Sequence, residues 1–287
     1  MTLAKILTRK PISILTNTAK TIAPRSCQQF YRFAKMFSGG RHFYCPVCNR
    51  RVWRFRLLRD WYFEKWQEHG HIHSIFAMET LNIVAYGCPH CGAADRSRLY
   101  ALYFKKQFSS MAITKRYSFL EFGPTGPLSA ALRKQPSLNY RSSDLFLDNV
   151  DDRVDITDMP VYKNCSIDIF LCSHVLEHVE DDRKAMAELY RILKPGGWGI
   201  VMAPILLTLE NVYEDASIKS EADRWKHFQQ GDHVRLYSKQ GFIRRLEDAG
   251  FKVNQFGIDY FGADVFEKHG IDSRSVLYVV EKPSLLK

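Results

Sequence analysis

Four cysteines fall in two Cys-x-x-Cys turns, CPVC (Cys45, Cys48) and CPHC (Cys88, Cys91), with 39 residues between the pairs. Such a turn presents two thiolates to one ion, and two turns complete a tetrahedron, so the spacing points to zinc. Four thiolates leave no open position for a substrate. The zinc is therefore expected to be structural, contributing about 10–16 kcal/mol of metal binding to a module too small for its own core. Two disulfides are the competing reading. No stretch reads as a signal peptide, and Cys27, Cys165 and Cys172 would be left over. HGHIH in the spacer (His69, His71, His73) reads as a polar loop rather than a source of ligands.

A second set of polar residues stands where apolar runs end. FLEFGPTGP places Glu121 at the close of a strand, with Gly123 and Gly126 for a tight turn, but without the three glycines of a dinucleotide loop. YRSSDL ends on Asp144, 18 residues after Gly126, where a carboxylate can accept both hydroxyls of a ribose. RVDITDMP offers Asp155 to an adenine amino group and Ile156 to the ring. IDIFLCSHVLEHV ends on Ser173, His174, Glu177 and His178. Any one of these acids alone reads as a helix cap or a solvated carboxylate. Four in succession suggest a nucleoside site.

Strand–helix alternation must position them. YSFLEFG, LSAALRK, NYRSSDL, RVDITDM, IDIFLCS, DDRKAMAELYRIL and WGIVMAP alternate apolar runs with helical segments. That rhythm predicts an α/β fold: a Rossmann-like, seven-stranded, mostly parallel sheet with helices on both faces. Ligands bind such sheets at the carboxyl ends of the strands. The helix from Asp182 should bury Ala185, Leu189, Ile192 and Leu193. Asp181 and Asp182 suit its start, Arg191 and Lys194 its end, and Pro195-Gly196-Gly197 should stop it. KQGFIRRLEDAG, FKVNQFG and SVLYVVEK complete the sheet as helix, strand and strand. Upstream, RVWRFRLL and LNIVAYG read as strands of the cysteine module, and DRSRLYALYFKKQF as a helix joining the modules.

The formal net charge of +10 is unevenly placed. Met1 to Arg59 holds 13 Lys or Arg and no acid, so the remaining 28 bases face 31 acids, a net of −3. A basic arm can touch RNA or anionic lipid headgroups, or simply be solvated. Its composition also suits an organelle transit peptide, although the basic run continues into what reads as folded structure. Within the arm, Phe30, Phe33, Ala34 and Phe37 share one helical face. No apolar stretch approaches the eighteen or so residues of a membrane span.

FLEFGPTG, SSDL, VDITDMP, IDIFLCSHVLEHVEDDRKAMAELYRILKPGG and WGIVMAP resemble, in order, the motifs of class I S-adenosylmethionine-dependent methyltransferases of the type 11 group, over roughly Tyr117 to Glu281. The paired cysteines, the DR-R helix and GDHVRLYS resemble a bacterial subgroup of that family. One departure is that Thr125 and Pro127 stand where the first loop's second and third glycines would be. The resemblance implies S-adenosylmethionine as cofactor, held by Glu121, Gly123, Gly126, Asp144, Asp155 and Ile156, with Ser173 and His174 beside its methionine part. Glu177 and His178 would cap the next helix or line the substrate side.

The polar, aromatic segment 205–238 follows a strand's carboxyl end and is expected to close over the methyl donor. Its Glu214, Asp215, Arg224, Arg235 and Tyr237 are candidate acceptor contacts, and His233 is a candidate general base with Asp232 beside it. His178 is the next candidate. In the competing reading, His233 and Arg235 pin the segment to Glu214 or Asp215. The expected organisation is a basic arm (1–40), a zinc-ribbon-like module (41–94), a connecting helix and linker (95–116) and a methyltransferase domain (117–287). The expected activity is O- or N-methylation of a small-molecule, glycan or lipid-linked acceptor. It would be cytoplasmic, with a peripheral membrane contact through the arm as an option. An RNA methyltransferase gripping RNA through the zinc module and arm is the first alternative. A cofactor-binding scaffold without catalysis is the second.

Overall fold

A computed structural model describes residues 43–112, 115–124 and 126–284. The basic arm, its aromatic stripe, Cys27 and Thr125 lie outside the described residues. The described chain from Phe43 onward forms one compact unit.

The main sheet has seven strands: β3 (Tyr117–Phe122), β4 (Leu138–Asp144), β5 (Asp152–Arg153), β6 (Ile167–Ser173), β7 (Leu193–Met202), β10 (Lys252–Phe256) and β11 (Leu277–Glu281), in the order β10-β11-β7-β6-β3-β4-β5, while β8 (Tyr213–Glu214) and β9 (Arg235–Leu236) form a separate antiparallel pair. Pairings from β7 to β5 are parallel, whereas β11 is antiparallel to both neighbours. The strand order reverses at β3, so its carboxyl end and that of β6 border the crevice. Phe119, Leu120, Phe170, Leu171, Ile200 and Val201 on β3, β6 and β7 are at most 2% exposed, as a strand covered on both faces requires. Gly199 on β7 must be glycine, because a Cβ there would lie 2.5 Å from the Phe170 ring.

Helix Asp182–Ile192 forms as its pattern predicts, burying Ala185, Met186, Leu189 and Ile192, with the Asp181 side chain capping it by accepting from Lys184 N at 2.9 Å. Leu193 is already strand and pairs with Ile167. Lys194 donates to Asp168 at 2.7 Å rather than serving the helix end.

Two elements differ from expectation in the cysteine module. It contains the hairpin β1 (Phe43–Cys45) and β2 (Arg50–Val52) and the helix Asp60–Glu68. After Val52 the buried residues are Phe55 and Leu58, a spacing of three that no pleated strand provides. LNIVAYG is not a strand either. The Asn82 side chain accepts from Ala85 N at 3.1 Å and winds Ile83–Ala85 into a 3₁₀ turn. The helix Asp95–Ser110, expected as a joint, puts Leu99, Tyr100, Tyr103 and Phe104 into the sheet's own core. Arg98 on that helix is fully buried, and its five N–H groups donate to the carbonyls of His269, Tyr86, Ala93, Gly270 and Ala85. It ties the cysteine module to the turn before β11. Among the described residues no helix is long and apolar enough to cross a membrane.

Candidate active site

The carboxyl ends of β3, β4 and β6, with the turn after β5, open on one cavity of about 950 Å³. Glu121, Gly123, Asp144, Asp155, Ile156, Ser173 and His174 all line it, as do Glu177 and His178; Gly126 does not, but opens helix Gly126–Arg133 just outside.

Each is held by local chemistry. Glu121 is 4% exposed and accepts from Ser129 Oγ at 2.7 Å and Tyr140 OH at 2.5 Å. Burial nonetheless raises its pKa. Gly123 adopts φ +60°, and a Cβ there would lie 3.2 Å from Val175 Cγ2, so only glycine lets the turn pass. Asp144 Oδ1 accepts from the backbone N–H of Phe146 and Leu147 at 2.7 and 2.8 Å, fixing the side chain. Its Oδ2 takes no hydrogen bond among the described residues and points toward Gly123. Asp155 Oδ1 is likewise occupied by the N–H and hydroxyl of Thr157, both at 2.8 Å. Phe122, Leu128, Val154, Ile156, Leu171 and Val175 supply apolar wall.

The fit to S-adenosylmethionine is good on these grounds. A fixed carboxylate with one oxygen spare suits a ribose diol, and an apolar slot beside it suits a base. At the far end stand Ser173, bonded through its Oγ to Tyr100 OH at 2.9 Å, and Arg96, a guanidinium able to meet an amino-acid carboxylate.

The turn after β6 carries the densest charge. His174 sits at φ +56°, a left-handed conformation that is strained for a side-chain-bearing residue. Its Nδ1 lies 3.1 Å from Glu177 Oε1, without the alignment of a hydrogen bond. Glu177 is fully buried. Burial works against its charge, the neighbouring His174, His233 and His178 work for it, and the net shift is downward. His178 is about one-third exposed and meets Asp232 Oδ2 through Nδ1 at 3.3 Å, which raises its pKa against the effect of burial.

His233 does not line the cavity. It is 1% exposed, behind His178 with ring centroids 4.7 Å apart, and burial pushes its pKa down to about 4. Nor does Asp232 pair with it through hydrogen bonding. The other candidates of segment 205–238 also lie away from the cavity. Arg235 donates to Glu214 Oε2 at 2.8 Å and to the carbonyls of Leu176, Val179 and Glu180. Tyr237 donates to Asp182 at 2.5 Å, and Arg245 bridges Asp182 and Glu214 at 2.7 and 2.5 Å. This network clamps the 176–180 turn from behind, which matches the pinning reading for Arg235 and Glu214, whereas His233 is held by the Phe228 carbonyl instead. Asp215 accepts from Ser217 in a local turn, and Arg224 reaches Glu180 at 3.6 Å.

Residues the sequence left unflagged also line the cavity: Tyr62, Arg96, Tyr100 and Gln230; Asp232, expected only as a neighbour of His233, lines it too. The DRSR start of their helix was the available signal for Arg96 and Tyr100; Tyr62 carried none.

The four cysteines converge. Their sulfurs lie within 4.8 Å of one another, with Cys45–Cys91 at 3.7 Å and Cys48–Cys88 at 3.9 Å, and all four are free thiols. Sulfurs about 2.3 Å from one tetrahedral ion stand about 3.8 Å apart, so the set fits zinc. His69, His71 and His73 are elsewhere. His69 stacks on Trp225, His71 Nδ1 contacts the Lys226 carbonyl at 2.9 Å, and His73 meets Tyr213 edge-on.

A family profile described as "Methyltransferase domain" matches residues 93–255. The ubiquinone/menaquinone biosynthesis C-methyltransferase UbiE of Escherichia fergusonii is 27% identical over 110 residues, which is 33% of this chain and 41% of that protein; Escherichia coli homologues match equally. The match thus spans less than half the length of these curated relatives. Among solved structures, the CurJ carbon methyltransferase shares 15% identity at a TM-score of 0.43, covering 66% of this chain and 54% of that one. The YcgJ protein from Bacillus subtilis shares 13% at 0.41, covering 65% and 100%. With more than half of its length matched by the family profile, the chain belongs to the methyltransferase-domain family.

Proposed function

We propose that this chain transfers a methyl group from S-adenosylmethionine to an oxygen or nitrogen of a small-molecule, glycan or lipid-linked acceptor. One observation carries the reading: residues from four successive strand ends meet on one cavity whose fixed Asp144 keeps an oxygen spare. In this reading Asp144 holds the ribose, Val154 and Ile156 flank the base, and Asp155 accepts from its amino group. Ser173, His174 and Arg96 hold the amino-acid end. S-adenosylmethionine supplies a methyl already activated on a sulfonium, so the chain's task is to orient the acceptor and exclude water. Orientation of this kind is worth about 7–11 kcal/mol. Glu177, His178 and Asp232 border the acceptor end.

The cavity lining holds seven carboxylates and a single guanidinium, Arg96. That balance suits a cationic cofactor and opposes a nucleic-acid track, which places the RNA alternative second. Contact of the basic arm with RNA or an anionic membrane remains a separate proposal, as does cytoplasmic residence. Cys45, Cys48, Cys88 and Cys91 are proposed to hold structural zinc within the 41–94 module. Isolating the protein with its bound metabolites, and supplying labelled S-adenosylmethionine to extracts, tests the activity. Label transfer to a small molecule supports it. Cofactor binding without transfer to any pool would favour the scaffold alternative, and transfer to RNA the other.

A further inference from the structure

The Glu177–His233 contact is unsatisfied in a way that hydrogen bonding within the chain does not repair. His233 Nδ1 lies 2.9 Å from the Phe228 carbonyl, which can only accept, so Nδ1 carries the proton and Nε2 holds a lone pair. That lone pair faces Glu177 Oε1 at 4.0 Å. Neither His233 Nε2 nor either Glu177 carboxylate oxygen has a hydrogen-bond partner among the described residues, although both side chains are at least 99% buried; the nearest group to Glu177 Oε1 is His174 Nδ1, 3.1 Å away without hydrogen-bond alignment. Two acceptors facing each other in a buried site are repulsive unless something positive lies between them. One ligand atom each from Glu177, His178 and His233 falls within a 4.8 Å cluster.

We propose that Glu177, His178 and His233 form a divalent metal site at the acceptor end of the cavity, suited to a first-row transition ion such as Mn²⁺, Fe²⁺ or Co²⁺. Two imidazoles and a carboxylate are the donor set such ions take, and three protein ligands leave positions open to the cavity. Bonds of about 2.0–2.2 Å put neighbouring ligand atoms about 3.0–3.5 Å apart, so the Glu177–His233 pair, now at 4.0 Å, must close by about 0.5–1 Å when the ion binds. The surroundings match a metal site. His233 donates its other ring nitrogen to a backbone carbonyl, and His178 pairs with the Asp232 carboxylate; such partners orient metal-bound imidazoles. The Arg235 clamp on the carbonyls of 176–180, and the bond from Val234 N to the Glu177 carbonyl at 2.8 Å, bind the two ligand-bearing segments together. The site's role rests on the methyl-transfer reading: the ion would hold an acceptor oxygen beside the methyl donor and make it more acidic, so that its proton could pass to solvent water before the methyl moves, without a dedicated side-chain base.

Titration of the full zinc-loaded chain with Mn²⁺, followed by the electron paramagnetic resonance signal of the free ion, tests the site. The thiolate cluster does not favour Mn²⁺. The wild type should remove a single equivalent of Mn²⁺ from the free signal. His233→Gln and His178→Gln should weaken binding ~10-fold or more. His178 is partly exposed, so its variant tests the site even if His233→Gln fails to fold. S-adenosylhomocysteine binding is measured calorimetrically on the same samples. If it binds and Mn²⁺ does not, or if both variants bind Mn²⁺ like the wild type, the metal site is overturned while the methyl-transfer reading stands. If S-adenosylhomocysteine fails to bind, the methyl-transfer reading falls, whatever Mn²⁺ does.

Discussion

Among the charged side chains of the described residues, Arg98 and Glu177 are fully buried, and they are treated in opposite ways. Arg98 has all five donors on backbone carbonyls and stacks on Phe55 at 3.8 Å. Glu177, with His233 beside it, keeps carboxylate oxygens and a ring nitrogen without hydrogen bonds. A buried charge that is fully satisfied fixes one arrangement of the chain. A buried polar group left unsatisfied is destabilising by itself, and its position on a cavity wall points to a ligand that completes it. Arg98 therefore reads as structure and Glu177 as function.

The largest expected effect lies in the structural half. Cys45→Ser or Cys88→Ser should abolish zinc binding and unfold the cysteine module, because metal binding of about 10–16 kcal/mol is then lost to folding. Cys165→Ser, altering an exposed thiol, should leave the zinc content unchanged. Metal analysis of the purified variants decides. Next, Arg98→Met leaves carbonyls unpaired in the interior and should lower unfolding stability in urea by about 3–5 kcal/mol.

Glu177→Gln should cost less than Arg98→Met. It removes a carboxylate that accepts no hydrogen bond and is favoured only by the neighbouring His174, His233 and His178, so the loss of stability should be the smaller of the two. Methyl transfer should nevertheless fall by ~10²-fold or more. If Glu177→Gln destabilises as much as Arg98→Met, the contrast between the two clusters is gone.

The smallest effect concerns the clamp behind the turn. Burial alone would raise the Glu214 carboxyl, but Arg245 and Arg235 bring it down to about 2 from an ordinary 4.5. Since the folded-state value is depressed, the stabilisation is fully present above 4.5 and is lost as pH falls through about 2. Glu214→Gln should be less stable than the wild type near neutrality, and the two should converge across that acid window. Urea midpoints over the acid range would show it; a constant difference would detach Glu214 from the clamp.

The cavity residues that stood at strand ends were legible because the strand–helix rhythm and the sheet's carboxyl edge place them without long-range information. Asp144, Asp155, Ser173 and His174 needed only their position after an apolar run. The Cys-x-x-Cys turns were legible for a similar reason, since each pair is local. What the sequence hid was set by distant partners. Arg98 looks like one surface base in DRSR until residues 269 and 270 supply carbonyls for it. LNIVAYG has strand propensity, but Asn82 and the clasp on Arg98 impose a tight turn. His233 and Arg235 looked like acceptor-facing residues because their segment follows a strand's carboxyl end. The clamp to Asp182 and Glu214 turns Arg235 inward and the Phe228 carbonyl holds His233, and no local pattern announces either.

The most direct test of the cavity reading is calorimetric titration of the full chain with S-adenosylmethionine, for the wild type and for Asp144→Ala. The account predicts single-site binding by the wild type. Loss of the spare Asp144 oxygen should weaken that binding by about 1.5–3 kcal/mol, the range for hydrogen bonds to a charged group. Absence of binding to the wild type, or equal affinity in the two proteins, would contradict it.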